Sequence, residues 1–161
     1  MTKIIFLINI FILSARIVYS QSFTASLDSI LEKNSDQRAF LHSILSIDYP
    51  HLKVTDTEYK YKILIAQSIA YFLLFDSYDQ RVFKIQILEK GLDKLKICGL
   101  QNPILEELYD NLFNMYYNYK SGEDIPPGSI KEIIKNYSLQ KKEEEVMNWF
   151  YNKLWRKGCS E

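Results

Sequence analysis

The stretch Thr55–Asp79 constrains this chain more than any other. It reads T-D-T-E-Y-K-Y-K-I-L-I-A-Q-S-I-A-Y-F-L-L-F-D-S-Y-D, and between Ile63 and Phe75 only Gln67 and Ser68 are polar. A helix that is apolar on nearly every side has to be wrapped by other elements. A membrane-spanning helix needs about 20 apolar residues, and Lys60, Lys62 and Asp76 close this run well short of that. The segment therefore reads as a buried core helix. Thr55 and Glu58 have capping-box spacing at its start. Asp76, Ser77 and Asp79 favour a turn at its end, because their side chains bond to nearby backbone.

Residues 1–20 read as a secretory signal peptide. Lys3 gives a basic start, Ile4–Leu13 an apolar run broken only by Asn9, and Val18 and Ser20 suit the −3 and −1 positions of a cleavage site before Gln21. Arg16 departs from that pattern, and an uncleaved N-terminal membrane anchor is the alternative. Cleavage would leave residues 21–161 as a single helical domain, of a size that can bury one core. The expected location is the periplasm or the cell exterior. Without Lys3 and Arg16, 18 basic residues face 20 acidic ones, so nothing favours a nucleic-acid partner.

The rest of the chain carries helical periodicity and no strand-like alternation. Phe23, Leu27, Ile30 and Leu31 share one helical face, and Phe40, Leu41, Ile44 and Leu45 another. Ser35 is the expected cap of the second helix, and Pro50 ends it. Residues 79–98 place Val82, Ile85, Leu88, Leu92 and Leu95 on one stripe, with Gly91 inside the helix and Gly99 placed to stop it in left-handed geometry. Gly91 costs about 1 kcal/mol relative to Ala, which a close helix crossing would explain.

Asn102-Pro103 opens the fifth helix, with Leu105, Leu108, Leu112 and Phe113 on its apolar side and Gly122 at its end. After the turn-rich residues 121–128, Ser129 and Glu132 repeat the capping-box spacing. Ser138 then caps a seventh helix running to about Lys157, with Val146, Trp149, Phe150 and Leu154 on one face. The expected fold is all-α: an irregular bundle or short array of about seven antiparallel helices around the central apolar helix, residues 57–76.

Chemistry is sparse. The two histidines, His42 and His51, have no metal-ligand spacing, and no cofactor or metal motif occurs. An enzyme would need a site assembled from dispersed residues, such as Cys98 or a carboxylate brought to His42 or His51. Cys98 and Cys159 are a candidate disulfide in an oxidising compartment, set against two unrelated thiols. Asn136-Tyr137-Ser138 fits a glycosylation acceptor.

The twelve Tyr, nine Phe and two Trp are the unusual resource. Tyr116, Tyr117, Tyr119, Trp149, Tyr151 and Trp155 fall on more than one helix face, which makes Tyr117, Tyr151 and Trp155 a candidate binding surface. The function expected from export without catalytic chemistry is a protein-binding module, of the inhibitor or immunity type. The alternative is a carrier holding a small apolar ligand among Phe72, Phe75, Phe113 and Tyr116.

Overall fold

The computed structural model describes residues 23–34, 36–48, 57–99, 102–137 and 141–155. They form seven α-helices: α1 Phe23–Glu32, α2 Gln37–Leu45, α3 Thr57–Phe75, α4 Arg81–Gly99, α5 Pro103–Ser121, α6 Ser129–Asn136 and α7 Lys141–Phe150. A π-helical turn, Tyr151–Trp155, continues α7. No strand occurs among the described residues, so the protein is an all-α helical bundle. The signal segment 1–20, Ser35, Pro50, His51, Thr55, Ser138 and Cys159 lie outside the described residues.

The apolar helix α3 is the centre, with α2, α4, α6 and α7 all packed on it. Every residue from Ile63 to Ala70 is buried. Its polar side chains are each used to hold a different neighbour. Gln67 Nε2 donates to the carbonyls of Ile47 at 2.8 Å and Ile44 at 3.3 Å, sealing the open C-terminal end of α2. Ser68 donates to the carbonyl of Gly91 on α4 at 3.2 Å. Lys62 reaches Glu145 on α7 at 2.5 Å and Glu58 on its own helix at 3.3 Å. Burial alone would lower the Lys62 pKa, but the two carboxylates outweigh it and raise it above 10.5. That contribution is present at neutral pH and is lost as pH rises through the raised value.

Gly91 is the close crossing. A Cβ built there would stand 2.7 Å from Phe72 Cε1, so α3 and α4 approach to a distance that only glycine permits with the ring in place. Farther out, α1 packs on α2 and α7. Asp28 joins them, accepting from Trp149 Nε1 at 3.2 Å and pairing with Lys153 at 2.9 Å. Phe40, Trp149 and Phe150 form the aromatic centre of that end, with ring centroids 5.2–6.4 Å apart.

Several local expectations shift. Asp36, one residue past Ser35, caps α2 by accepting from the Ala39 N–H at 2.8 Å. Gly128, with φ 80°, is the N-cap of α6, so Ser129 is its first helical residue and makes no capping bond. Positive φ among the described residues is confined to Gly122 and Gly128, and Gly99 ends α4 as a helical residue. Val82 is 64% exposed rather than on the core stripe. Two three-residue steps from Leu88 rotate it about 120° around the helix, which takes it off the buried side.

Gly91→Ala tests the crossing. At an open helix position the change would stabilise by about 1 kcal/mol. Here the clash with Phe72 should reverse the sign and cost about 1–3 kcal/mol in denaturant unfolding. A variant as stable as the parent would show that the ring yields freely.

Candidate functional site

The core side of α5 fixes what its other sides present. Leu105, Leu108, Leu112, Tyr116 and Tyr119 are buried at spacings of three and four, the period of one helical face. The helix is well delimited. Asn102 Oδ1 accepts from the N–H groups of Ile104 and Leu105, Pro103 occupies the first turn, and Gly122 closes the end with φ 117°. Helix α4 lies along one flank in antiparallel contact: Lys96 is over the Tyr109 ring, Glu89 meets Tyr116 and Lys120, and Arg81 is over Tyr119.

An aromatic ladder follows along α5. Tyr109 and Phe113 stack with centroids 5.8 Å apart and an interplanar angle of 23°, and Phe113 meets Tyr116 at 5.9 Å. Phe113 is 41% exposed and Tyr117 is 62% exposed. Phe113 was expected on the buried side. It lies one residue, about 100° of rotation, past Leu112, which carries it to the rim.

Polar groups frame the ladder. Tyr116 donates to Glu89, and Lys120 donates to the Tyr116 hydroxyl at 2.9 Å and to Glu89 at 3.4 Å. Burial first, and the Glu89 hydrogen bond second, push the Tyr116 phenol above its ordinary 10.0, while Lys120 pulls it partly back. The hydrogen bond to Tyr116 and the Glu89 carboxylate raise the Lys120 pKa in turn. The phenol and the ammonium therefore both stay protonated at neutral pH.

At the far end of α5, Arg81 stacks 4.1 Å over Tyr119 and donates to the carbonyls of Tyr119 and Glu123, the latter at 2.9 Å. It also pairs with Asp124 at 3.3 Å. One guanidinium thus adds a second donor to the Tyr119 carbonyl, which also accepts the Gly122 N–H, and ties the end of α5 to the Glu123 carbonyl beyond it. Beside it an open groove of about 330 Å³ runs between Met115, Asn118, Tyr119 and Ile125. No sequence pattern marked Arg81; its role depends on the α4–α5 pairing, which only the fold supplies.

The remaining expected site residues are dispersed. Tyr151 is half-buried beneath Lys135 of α6, whose ammonium is 5.5 Å from its ring, so it has different neighbours from Tyr117. Trp155 closes the π-helical turn, and its side chain lies outside the described set. Because the turn is π-helical, Tyr151 and Trp155 do not continue the α-helical register from which their shared face was read.

Phe72, Phe75, Phe113 and Tyr116 have different surroundings. Phe72 borders an internal void of about 10 Å³, room for about one water molecule. Phe75 packs edge-on against Tyr119 at 5.5 Å, and Phe113 faces outward. His42 is exposed on α2, and Cys98 is buried at the end of α4. Comparison with known proteins finds no matching family model, no similar curated protein and no similar solved structure.

The framing network has a titration signature. Glu89→Gln should bring the Tyr116 pKa down toward 10.0, and Lys120→Met should push it further up. Carbon-13 NMR of the tyrosine ring measures both. An unchanged Tyr116 titration in Glu89→Gln would mean that the contact is absent in solution.

Proposed function

We propose that this protein is a non-catalytic interaction module that binds a protein partner through the outer face of α5 and its α4 flank. The observation that carries the reading is the exposure of Phe113 and Tyr117, at 41% and 62%, on a helix whose Leu105, Leu108, Leu112, Tyr116 and Tyr119 are buried. Exposed aromatic side chains beside a polar frame have the composition of interface anchors. Lys96, Glu89 and Lys120 supply that frame and hold the aromatic rings in place from one side. Stacking of Tyr109 on Phe113 pre-orders the surface, which lowers the entropy lost on association.

The module acts outside the cytoplasm, in the periplasm or beyond the cell, once the segment before Gln21 is removed. The hydrophobic start with Lys3 and the Val18 and Ser20 positions before Gln21 support this. In that compartment Cys98 and Cys159 are the pair that could join the end of α4 to the chain terminus. A small protein with a pre-ordered aromatic face suits the blocking of a partner, as inhibitors and immunity proteins do.

Capture from the native envelope or medium tests the reading. Phe113→Ser with Tyr117→Ser should weaken partner binding by at least tenfold while keeping the helix content seen by circular dichroism, the lost stacking of Phe113 on Tyr109 costing only a modest fall in the thermal midpoint. Equal capture by parent and variant would place the partner surface elsewhere.

A further inference from the structure

The outer side of α5 is self-complementary, and we propose that it pairs with α5 of a second copy, antiparallel and centred on Phe113. This rests on the reading of that face as a binding surface and names its occupant. Glu106, Asp110, Phe113, Tyr117 and Lys120 follow one another at steps of four, three, four and three, and all five are exposed. That spacing keeps residues on one seam between two packed helices. The stripe is about 21 Å long, from 1.5 Å of rise per residue.

Its charge is ordered. Glu106, Glu107 and Asp110 lie in the N-terminal half of α5, and Lys120 is the helix's single basic residue, in its last turn. Parallel pairing would set the carboxylates of one copy against those of the other. Antiparallel pairing about Phe113 instead sets Lys120 opposite Glu106 of the second copy, and brings Tyr117 to within one residue, about 1.5 Å of rise, of its Asp110. Both contacts occur twice, as a two-fold interface requires. Two of the three Lys120 N–H donors are used among the described residues, by Tyr116 and Glu89, which leaves the third for a carboxylate across the interface. The helix dipole accounts for an acid at the start of α5 and a base at its end. It does not account for Phe113 and Tyr117 exposed between them at seam spacing.

A seam of this length is short, so the dimer should be reversible and concentration-dependent. Sedimentation velocity on the purified protein, from low to high micromolar concentration, should show monomer giving way to dimer. Lys120→Glu alone and Glu106→Lys alone should each weaken the dimer at least tenfold, and the double exchange should restore it. Circular dichroism verifies that every variant keeps its helix content. Phe113→Ser, with no change of charge, should also abolish the dimer.

A parent that stays monomeric throughout would overturn the proposal, as would a double exchange no better than the single variants. The two levels separate cleanly. A monomeric parent whose capture of a different protein is lost in Phe113→Ser rejects the second copy and keeps the binding face. If Phe113→Ser alters neither self-association nor capture, both fall.

Discussion

The crossing of α3 and α4 at Gly91 is the contact on which the remaining arrangement depends. Phe72 lies where a side chain on residue 91 would be, and Ser68 bonds the Gly91 carbonyl from one turn earlier. The approach lets Leu88, Leu92 and Leu95 reach the apolar surface of α3. With α4 seated, α5 can fold back along it, and Leu105 and Leu108 share with Phe72 and Leu95 the lining of the small interior void. A void of about 10 Å³ at that junction is consistent with the close packing of protein interiors.

An all-apolar helix has no intrinsic orientation about its axis, since any side can be buried. The polar groups of α3 supply one. Gln67 points at the end of α2, Ser68 at α4, and Lys62 at Glu145 of α7. Each bond would be left unmade by a rotation of the helix, and an unmade buried bond costs about 1–3 kcal/mol. Hydrophobic burial drives the association, and these few polar contacts select the rotation. Gln67 Oε1 has no hydrogen-bond partner among the described residues, so its other end carries that selection.

Much of this was legible in the residues. The apolar run from Ile63 to Phe75 named the central helix, Asn102-Pro103 and Gly122 marked both ends of α5, and Gly91 was read as a close crossing. The misplacements were those of rotation and of one-residue offsets. Val82 and Phe113 are apolar and fall near a buried stripe, yet a rotation of about 100–120° decides their exposure. Asp36 stands where Ser35 was read as the cap because its carboxylate accepts the Ala39 N–H, and Gly128 precedes Ser129 as the N-cap of α6 by its left-handed backbone, without a side-chain bond. The outer face of α5 was only partly visible. Tyr117 was marked from its residue type, whereas the stacking of Tyr109 on Phe113 and the Glu89–Tyr116–Lys120 frame required knowing that α4 lies alongside. Arg81 was invisible for the same reason, its partners being about 40 residues away in sequence.

A central helix that holds all its neighbours should be the last to open. Native-state hydrogen exchange reads this directly, residue by residue. The amides of Ile63–Phe75 should exchange only through global unfolding, with protection matching the free energy from denaturant titration, while α1 and α6 open at lower cost. Amides of α3 that exchange faster than those of α5, through a local opening, would contradict the account.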